Sequence, residues 1–255
     1  MCEDFGPAFF ANGGIARLEG IDLAALPKVA LGARLGPCIA APGNFIAVGL
    51  NYVQHAEETN APIPTDPILF NKAPSCICGP NDDVFLPRQS VKTDWEVELA
   101  LVIGKEALYV DAAQALSHVA GYFICNDLSE REYQLERSGQ WVKGKMFPTF
   151  GPLGPWLVTA DEVPNVQALR LWLELNCKRV QDSNTSDMIF SIARLVSDIS
   201  QYVRLLPGDI VTTGTPQGVG LGMKPPLYLK PGDTMRLGID GLGVQQQRVM
   251  RWGDA

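Results

Sequence analysis

Asp94-Trp95-Glu96-Val97-Glu98-Leu99-Ala100-Leu101-Val102-Ile103-Gly104 is the stretch whose reading decides the fold. Side chains alternate across a β-strand, so Asp94, Glu96 and Glu98 share one face and Trp95, Val97 and Leu99 the other. Acidic residues are poor strand formers, and no lysine alternates with these three. From Leu99 to Ile103 the run is wholly apolar, which puts the charged part at one end of a buried strand. Two carboxylates two residues apart point the same way and repel. A hard divalent cation is an economical reason to keep them together, whereas a solvated strand face is the bland alternative. A third carboxylate, Asp127, ends the apolar run Gly121-Tyr122-Phe123-Ile124-Cys125-Asn126. The expectation is a Mg²⁺-type site made by Glu96, Glu98 and Asp127.

The chain's 255 residues suffice for one large β-rich domain, or for one domain with a small extra lobe. A formal charge of −7 argues against a nucleic-acid surface. No run is long and apolar enough to span a bilayer, and the start Met1-Cys2-Glu3-Asp4-Phe5-Gly6 lacks a basic region and an apolar block. A cytosolic location is the default expectation. The six cysteines (Cys2, Cys38, Cys76, Cys78, Cys125, Cys177) are dispersed and form no Cys-x-x-Cys pair, which predicts reduced thiols. With only His55 and His118 present, a zinc site with two or three histidines is nearly excluded.

Residues 1–43 read as a short N-terminal lobe or lead-in, and 44–252 as the main domain. Phe45 to Leu50 is a buried strand, Asn51 to Thr59 a short helix or ordered loop, and Ile68-Leu69-Phe70 a further strand. Asp111 is expected to N-cap a helix to His118. Ser129-Glu130-Arg131-Glu132 has capping-box spacing and should open a helix toward Arg137. Residues 140–155 read as an ordered loop, Leu171 to Asn176 as a strand, and Met188, Ile192, Leu195, Ile199 and Val203 as the stripe of an amphipathic helix over 187–205. Leu-Leu-Pro-Gly-Asp at 205–209 and Leu-Lys-Pro-Gly-Asp at 229–233 look like two Pro-Gly turns, each feeding a strand. Strands outnumber helices without βαβ alternation, which predicts a mixed, β-rich fold.

Four further features could carry chemistry. On a helix His55 and Glu58 share a face at i, i+3, and a carboxylate beside an imidazole suits activation of a water; an exposed surface pair is the alternative. Three carboxylates around a dication leave a net charge near −1, so an anionic substrate needs a further cation; Lys145 and Arg131 are candidates, with Lys72 behind them. His118 reads as structural. Gly214-Thr215-Pro216-Gln217-Gly218-Val219-Gly220-Leu221-Gly222 is not a dinucleotide fingerprint, and reads as a plain turn or as amides approaching a small carboxylate.

Taken together, Asn51-Tyr52…His55…Glu58, Asp94 to Leu99, Asn126-Asp127-Leu128-Ser129-Glu130-Arg131…Gln134, Lys145 to Pro155 and Thr213 to Gly220 resemble the fumarylacetoacetate hydrolase family over roughly residues 44 to 250. The resemblance implies rolled, barrel-like β-sheets with a few peripheral helices, usually as a homodimer, and Mg²⁺ or Mn²⁺ at Glu96, Glu98 and Asp127. It gives Lys145 an enolate-stabilising role, His55 with Glu58 a water-activating role, and Gln134, Thr215 and Arg131 substrate contacts. It implies hydrolysis of the C3–C4 bond of a 2,4-dioxo acid, such as a 2,4-diketo-3-deoxy sugar acid, to pyruvate and a second acid. Decarboxylation of oxaloacetate, hydration or isomerisation of a 2-oxo acid, and ureidoglycolate cleavage are alternatives on the same scaffold; a non-catalytic Ca²⁺-binding module is a further one. One departure is that Asn176-Cys177 stands where the family has an Asn-Gly turn.

Overall fold

The computed structural model describes residues 4–254. The strands are, in order, β1 (Phe45–Gly49), β2 (Ile68–Asn71), β3 (Ile77–Cys78), β4 (Val84–Leu86), β5 (Thr93–Asp94), β6 (Val97–Ile103) and β7 (Val119–Asn126). They continue with β8 (Ser129–Glu130), β9 (Gly151–Thr159), β10 (Arg170–Leu175), β11 (Lys178–Asn184), β12 (Ile210–Thr212), β13 (Thr234–Ile239) and β14 (Gly243–Arg251). The helices are short: α1 (Pro7–Ala11), α2 (Val53–Glu58), α3 (Ala112–Ala115), α4 (Val142–Lys145) and α5 (Ile192–Ile199), with several 3₁₀ turns.

Every position of β6 is buried, and β6 lies centrally in a seven-stranded mixed sheet ordered β2-β1-β12-β6-β7-β9-β3. This sheet curls into a half-barrel. A five-stranded sheet, β11-β10-β13-β14-β4, packs beside it, and β5 pairs only with β8. The expected β-rich architecture is therefore present. Trp95, Phe45, Phe123 and Phe150 are fully buried in the core between the layers. The sheets are also stitched by polar groups. Gln245 and Gln247 of β14 are completely buried; Gln245 donates to the carbonyls of Ile124 and Gly154, and Gln247 to that of Pro80. Buried amides of this kind must be paired, which fixes how β14 sits on the larger sheet.

Several local expectations are corrected. The opening stretch is two strands rather than one. The Trp95 amide donates to Asp94 Oδ1 and the Glu96 amide to Asn126 Oδ1, so side chains replace the ladder between β5 and β6. Asp111 holds the N-cap position of α3 without a side-chain bond, and α3 ends after one turn, followed by a 3₁₀ turn to His118. The 129–132 capping role falls to Glu130, whose carboxylate accepts from the Tyr133 amide; Ser129 donates to the Asp127 carbonyl, and the segment Glu132–Glu136 is wound as a π-helix. Residues 140–155 are not one loop but contain α4 and the start of β9. The 187–205 helix shrinks to α5, because Ser191 caps it at the Arg194 amide.

The paired Pro-Gly turns match their reading. Gly208 and Gly232 have φ of +92° and +93°, and in each turn the aspartate bonds back, Leu206 N–H to Asp209 and Lys230 N–H to Asp233. Cys38, Cys76, Cys78, Cys125 and Cys177 are free thiols, while Cys2 lies outside the described residues. Residues 4–43 hold α1 and 3₁₀ turns, with Phe9 and Phe10 buried against the core. Among the described residues no helix is long and apolar enough to cross a membrane.

Candidate active and metal site

The β6–β7 register assembles the carboxylates. Val97 lies opposite Asn126 and Glu98 opposite Cys125. Asp127, one residue past β7, donates its amide to the Glu96 carbonyl. Glu96, Glu98 and Asp127 are buried, with one oxygen from each lying within 4.8 Å of the others.

Each carboxylate has one oxygen held by a buried donor. Lys72 Nζ lies 2.6 Å from Asp127 Oδ1, Arg131 Nη2 lies 2.7 Å from Glu96 Oε1, and the Gly214 amide donates to Glu98 Oε2 at 2.9 Å. Lys145 Nζ bridges the remaining oxygens of two of them, Glu96 Oε2 at 2.6 Å and Asp127 Oδ2 at 2.8 Å. Glu98 has no cationic partner of its own among the described residues. Burial first, then Asp127 and Glu96, push its carboxyl well above the usual range. Burial also works against the Glu96 charge, but Lys145 and Arg131 outweigh it and hold that carboxyl at about 2. Four buried carboxylates (Asp94, Glu96, Glu98, Asp127) thus face three buried cations (Lys72, Arg131, Lys145). An all-oxygen donor set that is short of positive charge fits a hard divalent cation. The residues that would hold it are Glu96, Glu98 and Asp127.

Asp94, outside the expected ligand set, has a different task. It receives Arg131 Nε at 2.8 Å and the amides of Gly220 and Leu221 at 2.7 and 3.0 Å, so it fixes Arg131 from behind. The glycine loop 214–222 turns out to direct its amides at carboxylates of this chain: Glu98, Glu58 and Asp94. Gly218 needs its φ of +98°, and a Cβ there would collide with the Val180 carbonyl.

α2 carries the second group. Asn51 anchors its entry by accepting from the Phe190 amide and donating to the Phe190 and Thr213 carbonyls. One turn on, His55 Nδ1 lies 2.9 Å from Glu58 Oε1, and Glu58 Oε2 accepts from the Gly218 amide at 2.8 Å. The carboxylate is therefore held at both oxygens, and the imidazole is oriented by it. His118 is half-buried, with Nδ1 2.8 Å from the Glu106 carbonyl oxygen.

A cleft of about 650 Å³, counting its open mouth, brings together His55, Glu96, Glu98, Arg131, Gln134, Lys145 and Thr215. Gln134 Oε1 accepts from Arg131 Nη1. The Thr215 hydroxyl is engaged within the fold, donating to the Val97 carbonyl and accepting from Gln181. Lys72 is not on the cleft wall; it is buried behind the carboxylates, donating to the Lys145 carbonyl. A substrate-contacting position for it is thereby corrected. Missed from sequence were Asp94's role behind Arg131, the apolar wall formed by Phe70, Trp141 and Leu221, and the buried Tyr52 hydroxyl, which has no hydrogen-bond partner among the described residues. The Tyr52 hydroxyl titrates well above normal through burial first and Glu98 second. Only Asp94 left a signal, its place in the acidic alternation.

This fold and site define an enzyme of the fumarylacetoacetate hydrolase superfamily, whose members include hydrolases and isomerases. The fumarylacetoacetate (FAA) hydrolase C-terminal family matches residues 44–250, and the chain belongs to that family. A protein of Burkholderia cenocepacia strain HI2424, provisionally named a hydrolase, is 55% identical over 247 residues, 96% of this chain and 88% of that one. The chain is similar to the maleylpyruvate hydrolase of Sphingobium sp. SYK-6, solved with manganese(II) and pyruvate: TM-score 0.80, 30% identity, covering 96% of this chain and 84% of that one. It is also similar to a 2-hydroxyhepta-2,4-diene-1,7-dioate isomerase of Mycobacterium marinum: TM-score 0.75, 37% identity, covering 86% and 78%.

Proposed function

We propose that the chain is a Mg²⁺- or Mn²⁺-dependent hydrolase that cleaves the C3–C4 bond of a 2,4-dioxo acid, releasing pyruvate and a second acid. The observation that carries this reading is the clustering of the buried carboxylates Glu96, Glu98 and Asp127 with Lys145 at a cleft that His55, oriented by Glu58, also lines. When bound, the divalent cation supplies Lewis-acid polarisation of the 2-oxo-carboxylate. The neighbour solved with manganese(II) and pyruvate supports that assignment.

His55 takes a proton from water through the nitrogen not held by Glu58, and the water's oxygen bonds to C4. The C3–C4 bond then breaks, and its electron pair leaves as the enolate of pyruvate. The Lys145 ammonium, fixed beside Glu96 and Asp127, stabilises the negative charge developing on the enolate oxygen. Arg131 and Gln134 bind the substrate's polar end, with Arg131 held rigid by Asp94. Lys72 positions Asp127 rather than meeting substrate.

The His55–Glu58 pair favours hydrolysis over decarboxylation, which needs no activated water. Release of pyruvate from acetylpyruvate, followed with coupled lactate dehydrogenase, should require Mg²⁺ or Mn²⁺ and stop in EDTA. Conversion of an unsaturated 2-oxo diacid without chain cleavage, in place of pyruvate release, would reassign the site to isomerisation. The family likeness also supports a cytosolic homodimer; a monomeric mass by light scattering would remove the dimer.

A further inference from the structure

The cleft lining sets Glu96, Glu98, Arg131 and Lys145 beside apolar side chains, among them Phe70, Leu135 and Trp141. Ring contacts tie two of the apolar groups to the lysine. Lys145 Nζ lies 5.2 Å from the Phe70 ring centroid, and Phe70 meets Trp141 edge-on with centroids 5.6 Å apart and planes at 65°. Phe70 and Trp141 thus form an apolar wall that begins beside the lysine. Gly49 permits it, because a Cβ at that position of β1 would collide with the Trp141 ring. Leu135 is 44% exposed and so offers apolar surface for covering.

Both cations of the cleft are tied to groups of the chain, and what charge they still offer serves the 2-oxo acid end in the reading above. Arg131 is bonded to Asp94 through Nε, Gln134 through Nη1 and Glu96 through Nη2. Lys145 is bonded to Glu96 and Asp127. A carboxylate laid along the Phe70–Trp141 wall would lose its hydration without gaining a partner, and hydroxyls there would do the same on a smaller scale.

Resting on the 2-oxo acid reading above, we propose that the acyl side of the substrate is an apolar chain, without a second carboxylate and without the hydroxyls of a sugar acid. Phe70, Leu135 and Trp141 set that preference. It separates this chain from the diacid substrate in the name of the isomerase it resembles. It also separates it from the 2,4-diketo-3-deoxy sugar acids suggested by sequence.

Binding of simple 2-oxo acids tests this independently of which reaction the site runs. Isothermal titration calorimetry of the Mn²⁺-loaded enzyme compares 2-oxohexanoate with 2-oxoadipate, which has the same carbon count but ends in a carboxylate. The expected result is about tenfold tighter binding of 2-oxohexanoate. From 2-oxobutanoate to 2-oxooctanoate, affinity should rise about fourfold per methylene, the transfer value of a buried CH₂. Trp141→Ala should flatten that rise. Equal or tighter binding of 2-oxoadipate overturns the proposal, and an unchanged rise in Trp141→Ala overturns the part given to Trp141. If none of the 2-oxo acids binds, the 2-oxo acid reading fails and this inference fails with it.

Discussion

Lys72 Nζ and Asp127 Oδ1 lie 2.6 Å apart with both side chains fully buried. Burial works against the Lys72 charge, yet Asp127 outweighs it and raises the lysine pKa. The pair takes one Asp127 oxygen and leaves the other facing Lys145 and the cleft.

Lys72→Met leaves Asp127 with one cation instead of two. In EDTA the variant should lose about 3 kcal/mol of stability, the low end of the cost of breaking a buried pair, measured by urea unfolding. Mn²⁺ should restore more stability to the variant than it adds to the wild type, because the site has gained negative charge. Unchanged stability in EDTA would show that Lys72 does not hold Asp127.

The two glutamates shift in opposite directions, so the metal-free protein should have a stability maximum in acid. Glu96, held at about 2, contributes stability above the ordinary carboxylate value that is lost as pH falls toward 2. Glu98, raised, contributes stability below the ordinary value that is lost as pH climbs toward its folded pKa. Urea unfolding in EDTA should therefore show stability rising from pH 2 to about 4.5 and the Glu98 contribution falling above it. Mn²⁺, which binds the ionised form, should reduce the decline. A profile whose alkaline limb is the same with and without Mn²⁺ would contradict the role given to Glu98.

The β10–β11 turn holds Asn176 at φ +50° and Cys177 at φ +65°. Left-handed backbone suits asparagine and glycine, and costs a residue such as cysteine about 1 kcal/mol or more. Cys177→Gly should stabilise the protein by roughly 0.5–1 kcal/mol, less the extra entropy glycine gives the unfolded chain. The readout is the urea midpoint at unchanged slope. A fall in midpoint would mean that the turn is not strained at Cys177.

Much of the site was legible because its residues sit on short-range patterns. Glu96 and Glu98 stand two residues apart at the start of β6, Asp127 closes an apolar run, and His55 and Glu58 are one helical turn apart. What was not legible depends on contacts distant in sequence. Gln245 and Gln247 meet carbonyls of Ile124, Gly154 and Pro80 across the sheet packing. The place of Asp94 behind Arg131 depends on Arg131 itself and on the amides of Gly220 and Leu221, all distant in sequence. The long periodic stripe from Met188 to Val203 overstated α5, because a serine cap overrides periodicity at the helix start. Trp141 reached the cleft through α4, which local sequence presented as loop.

The central claim is that His55 directs water to C4. Its most direct test is turnover of an acylpyruvate in H₂¹⁸O with Mn²⁺, analysing the products by mass spectrometry. The expected result is one ¹⁸O in the carboxylate of the released acid, with the rate falling about 10²- to 10⁴-fold in His55→Ala while Mn²⁺ binding persists. Oxaloacetate decarboxylation, if the wild type shows any, should survive the substitution. An unlabelled acid product, or an undiminished rate in His55→Ala, would contradict it.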